Sequence, residues 1–92
     1  MKNVRIHLIV EGRVQRVCFR DSTRMKAVEL EIKGWVKNRT DGTVEIVAEG
    51  PEPNMQRFLE WCYEGPPYAA VSKITESSQE FRNEFTSFNI VF

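Results

Sequence analysis

Each of the five glycines in this 92-residue chain stands at a border between segments of different hydrophobic period, and that punctuation constrains the fold most. Ahead of Gly12, residues 4–10 alternate, with Val4, Ile6, Leu8 and Val10 on one side and Arg5 and His7 on the other. This is the period of a half-buried strand. Residues 21–33 lack Gly and Pro and place Thr23, Ala27 and Leu30 at helical spacing, with Val28 and Ile32 widening the stripe. They predict a helix, stopped by Gly34. Residues 35–39 and 43–49 read as strands around Asp41-Gly42, a hairpin signal because a tight turn needs the positive φ that Gly adopts without steric cost.

A second helix opens at Gly50-Pro51-Glu52-Pro53, carries Met55, Phe58, Leu59 and Cys62 on one face, and ends at Gly65-Pro66-Pro67. Residues 71–75 show a weak strand pattern, 77–84 are a polar connection of little pattern, and 85–92 predict a fifth strand with Phe88, Ile90 and Phe92 on one face. The order β-α-β-β-α-β plus a fifth strand predicts an α+β, ferredoxin-like sandwich: a mostly antiparallel sheet with both helices on one face. The crossover makes the first two strands parallel with the third between them. Asn38, near the end of the second strand, is therefore expected beside the loop that follows the first.

Residues 1–92 are long enough for one core and too short for a second folding unit, so a single domain is expected. With 41% hydrophobic and 28% charged residues the chain matches ordinary globular proteins and not disordered or fibrous ones. No apolar run reaches the ~20 residues of a membrane span, so neither membrane anchoring nor secretion is indicated. Cys18 and Cys62 have no metal-like spacing and are too few for a disulfide framework, which suits a reducing, cytoplasmic setting. Residues 1–39 hold ten Lys/Arg and four Asp/Glu, residues 40–92 three and nine, so the basic half can steer a small anion while the zero total argues against nucleic acid as a partner.

The basic half contains Gly12-Arg13-Val14-Gln15-Arg16-Val17-Cys18-Phe19-Arg20, between the first strand and the first helix. Amides at a helix start are unpaired and carry partial positive charge, so Gln15, Arg16, Val17, Cys18, Phe19 and Arg20 are expected to surround an anion such as phosphate or sulfate. The guanidiniums of Arg16 and Arg20 add planar, paired donors. Asn38 supplies a neutral carboxamide able to donate and accept. Phosphoryl transfer asks mainly for positioning and charge stabilisation, so such a set suffices for a reactive phosphate with a good leaving group.

That loop, followed by Gly34-Trp35-Val36-Lys37-Asn38 and Asp41-Gly42-Thr43-Val44, resembles the acylphosphatase family, and the match covers most of the chain in element order. The resemblance implies a metal-independent, cofactor-free hydrolase that cleaves the carboxyl–phosphate bond of small acyl phosphates, expected here as a monomer. It implies further that Arg20 binds the phosphate and that Asn38 positions the attacking water. One residue departs from the pattern: the family's loop usually has Gly where this chain has Arg16. If the position needs positive φ, a side chain there costs on the order of 1–3 kcal/mol; alternatively Arg16 folds over the anion as a second guanidinium.

Bland readings compete with these. Arg20 at a helix start is a cation in an electrostatically poor place, which itself favours a bound anion over a solvated surface charge. Asn38 can cap a hairpin, His7 reads as a mid-strand bystander, Cys18 as packing rather than a reactive thiol, and Cys62 as core. Two further functions stand against hydrolysis: a non-catalytic anion- or RNA-binding module on the same sandwich, and a weakened relative whose loop Arg16 obstructs. RNA recognition needs aromatics on the central strands, where this chain offers Val, Ile, Arg and Glu.

Overall fold

The computed structural model describes residues 2–92 as β1 (Asn3–Arg13), α1 (Phe19–Glu29), β2 (Lys33–Asn38), β3 (Val44–Pro51), α2 (Glu52–Glu64), β4 (Ala70–Gln79) and β5 (Phe88–Val91). The strands form one sheet in the order β4-β1-β3-β2-β5, with β3 antiparallel to both β1 and β2. Only β2 and β5 run parallel, pairing Gly34 with Phe88 through to Lys37 with Val91. The expected ferredoxin-like α+β sandwich is therefore present.

One sheet face makes the core. Leu8, Val10, Val36, Val44, Ile46, Ala48 and Phe88 meet Phe19 and Ala27 of α1 and Met55, Phe58 and Cys62 of α2 in a single buried cluster. Each large side chain so buried contributes about 1.5–3 kcal/mol. Phe58 and Phe88 meet edge-on at 6.0 Å, which ties α2 to the sheet, and Phe19 tilts against Trp61 at 5.8 Å, which ties α1 to α2.

Two glycines are demanded by close approach. Gly12, at φ 122 where the β1–β4 register shifts, leaves no room for a Cβ, which would lie 2.1 Å from the Ala70 carbonyl oxygen. Gly34, at φ 148, would bring one to 1.9 Å from that of Val47. Gly34 thus belongs to β2 and does not stop the first helix. That helix ends earlier than the periodicity suggests, because Glu31 takes a left-handed φ of 58 and Ile32 and Glu31 donate back to the Ala27 and Val28 carbonyls at 2.8 and 3.2 Å. This is a Schellman closure with Glu in the place Gly usually takes. Val28, expected to widen the buried stripe, is 61% exposed, since α1 buries only Phe19, Thr23 and Ala27.

The remaining differences lie late in the chain. β4 extends to Gln79, well into the stretch expected to be connection: it is an edge strand bonded through its backbone to β1, with Ile74 its one buried side chain. β5 is shorter than expected, and Phe92 points away from the core at 94% exposure. On the face away from the helices His7 Nε2 meets Glu45 Oε2 at 2.7 Å. Beyond it lies a buried pair, Arg5 with Glu49, crossed by residues 82–84.

Candidate active site

The site is built where β1 gives way to α1. Cys18 caps the helix in the left-handed conformation, φ 62 and ψ 24, with no side-chain cap, and Arg16 two residues earlier stands at φ 64. Left-handed residues on either side of Val17 turn the chain sharply here, the kind of backbone from which anion-binding nests are built. From residue 15 to residue 21 no backbone N–H finds a protein acceptor among the described residues; the first to do so is Ser22, bonded to the Cys18 carbonyl at 3.0 Å. Thr23 Oγ1 donates to the Phe19 carbonyl at 2.7 Å, and Phe19 is buried, which holds the first turn against the core.

A cavity of about 400 Å³ opens over these amides, with Arg16, Cys18, Phe19, Arg20 and Asn38 on its lining. The split β-α-β geometry thus brings Asn38 to the loop as expected. The buried Oδ1 of Asn38 has no hydrogen-bond partner among the described residues, a rare condition for a buried polar atom. Arg20 makes no ion pair among them either; its guanidinium stands 5.2 Å from the centre of the Phe92 ring.

Gln15 and Val17 do not line the cavity. Val17 packs against the core, and the Gln15 carboxamide donates to the carbonyls of Arg39 and Thr43 at 2.8 and 2.9 Å. It therefore ties the loop to the hairpin that follows Asn38. The hairpin is itself braced by the Asp41 carboxylate, which accepts from the Thr43 hydroxyl at 2.6 Å and amide at 3.0 Å; these bonds hold its pKa below the ordinary value.

Four lining residues are not among the expected site residues: Val14, which the motif contains, and Asp21, Ile90 and Phe92, which it does not. Ile90 and Phe92 arrive through the parallel β2–β5 pairing, which carries the chain end past Asn38. No local signal in residues 85–92 announces that. A roomier groove, about 560 Å³, runs between the helices beside Lys26, Glu29 and Trp61, but it gathers neither free amides nor an unpaired arginine.

What the arrangement can do chemically is bind a tetrahedral anion on amides and a guanidinium while an unpartnered carboxamide faces the same space. Comparison with known proteins bears on the family. A family model described as Acylphosphatase matches residues 6–90. The chain is 45% identical over 92 residues to an acylphosphatase of Pelotomaculum thermopropionicum, covering all of both. Its fold superposes on an acylphosphatase crystal structure from Bacillus subtilis with a TM-score of 0.93 and 42% identity, over 97% of this chain and 99% of that one. An acylphosphatase structure from Coxiella burnetii matches with a TM-score of 0.91 and 42% identity, over 97% and 93%.

Proposed function

The chain belongs to the acylphosphatase family, and from that premise we propose that it hydrolyses acyl phosphates in the cavity between the 15–20 loop and Asn38. The amides of the loop and the Arg20 guanidinium hold the phosphoryl group, where the positive end of α1 adds roughly half an elementary charge. Asn38 holds a water on the open side of phosphorus. The water oxygen bonds to phosphorus as the bond to the acyl oxygen breaks; the electron pair leaves with the carboxylate, and the water's proton passes to a phosphate oxygen. No step calls on a metal or cofactor, and free phosphate or sulfate competes for the cradle.

The observation that carries this reading is the Asn38 carboxamide, which lines the cavity together with Arg20 and whose buried Oδ1 has no partner among the described residues. A cradle alone explains anion binding. A free carboxamide beside it supplies the second requirement of hydrolysis, an oriented water. The same reading takes residues 1–92 as one domain acting as a monomer on a small molecule, in a cytoplasm reducing enough to keep Cys18 and Cys62 as the free thiols they are. The test is release of benzoate and phosphate from benzoyl phosphate by the purified chain in the presence of a metal chelator. A folded protein without this activity would overturn the reading.

A further inference from the structure

Arg16 is the one cation of the cavity to which the proposed hydrolysis assigns no task. Its side chain lines the same space as that of Arg20 but is exposed where Arg20 is half-buried, and it forms no ion pair among the described residues. The two left-handed residues of the loop, 16 and 18, both carry exposed side chains. Inside the cradle the phosphate already meets amides, the helix end and Arg20. Arg16 is left facing whatever part of the substrate protrudes.

In an acyl phosphate the protruding part is the acyl group. We propose that Arg16 selects acyl phosphates whose acyl half carries a second anionic group, a carboxylate or a phosphate, standing outside the cradle. This rests on acyl phosphate hydrolysis at this cavity. The guanidinium fork matches either anion with two parallel hydrogen bonds. Asp21, the other exposed charge on the lining, has the opposite sign and lies within ion-pair distance of neither arginine, so it opposes the same ligand without neutralising Arg16.

The experiment compares kcat/KM for 4-carboxybenzoyl and 4-phosphonobenzoyl phosphate with that for benzoyl phosphate, and reads the ratio. In Arg16→Gln, which keeps an unbranched polar side chain and removes the charge, the ratio falls about fivefold, the scale of an exposed ion pair. Arg16→Lys retains most of it, Asp21→Asn raises it, and raised ionic strength lowers it in the wild type. A larger fall with one of the two anionic probes identifies which anion is read. An equal loss on all three substrates overturns the proposal by assigning Arg16 to the transferred phosphate, an equal gain overturns it by making Arg16 an obstruction, and an unchanged ratio overturns it outright. Benzoyl phosphate left intact by the wild type overturns the hydrolase reading beneath it, so the two failures are told apart.

Discussion

Arg5 and Arg20 each stand over a phenylalanine ring, at 5.3 Å from Phe85 and 5.2 Å from Phe92, yet the two ends of the molecule use them in opposite ways. Arg5 is 9% exposed and held by three acceptors: its Nε donates to Gln79 at 2.7 Å, and its Nη1 reaches Glu49 at 3.2 Å and Glu84 at 2.7 Å. Glu49 in turn accepts from the Arg82 and Glu84 amides, each at 2.9 Å. Arg20 has a ring and no carboxylate, beside amides that find no acceptor. A buried charge met by two carboxylates holds a fold together. A charge without a carboxylate partner, beside amides without acceptors, is what the proposed phosphate site calls for.

Substitutions at the two ends should separate these roles. The largest effect is expected from Arg20→Ala, a loss of about 10³-fold in kcat/KM, comparable to removing a principal donor to transition-state charge, with a melting temperature close to wild type. Glu49→Ala should do the reverse. Removing the buried carboxylate takes one of the two acidic partners of Arg5 and leaves the Arg82 and Glu84 amides without their acceptor, which costs about 3 kcal/mol in urea unfolding, while activity per folded molecule stays near wild type. Equal losses of stability in both variants would erase the distinction.

Asn38→Ala is expected to lower kcat about 100-fold with little change in KM, because it removes the water's support and leaves the cradle; a KM effect dominating in steady-state kinetics would assign it to binding instead. Acid sharpens the contrast from the other end. Burial opposes ionisation of Glu49, but the Arg82 and Glu84 amides and Arg5 outweigh it and hold its pKa below the ordinary 4.5. A carboxyl with a depressed folded pKa stabilises fully above its unfolded value and loses that contribution as pH falls through the folded one. Unfolding followed from pH 6 downward should therefore keep the Glu49 contribution to about 4.5, lose it below, and show no such loss in Glu49→Gln. The smallest effect is expected at Arg16→Gly, a gain of about 1 kcal/mol in thermal or urea unfolding as the left-handed strain at φ 64 is relieved.

The binding end was more legible in the sequence than the structural end, for a physical reason. A strand, a basic loop and a helix in succession imply free amides, and chirality of the crossover then brings Asn38 to them; both inferences are local or topological. The Arg5 cluster depends on Glu49, Gln79 and Glu84, each far from Arg5 along the chain, and no periodicity marks such partners. β4 hid because an edge strand held by backbone bonds needs almost no apolar side chains. The true end of α1 hid because Glu31 does what glycine ordinarily does. Phe92 seemed a core residue by alternation, and only the parallel seating of β5 on β2 turns it toward Arg20.

The bonds from Gln15 to the Arg39 and Thr43 carbonyls bear on how this protein fails when heated. One side chain fastens the two halves of the cavity together before any substrate arrives, which opposes their moving as separate bodies. Catalytic competence and the folded state should then vanish over the same few degrees, instead of the cavity softening first while the sheet survives.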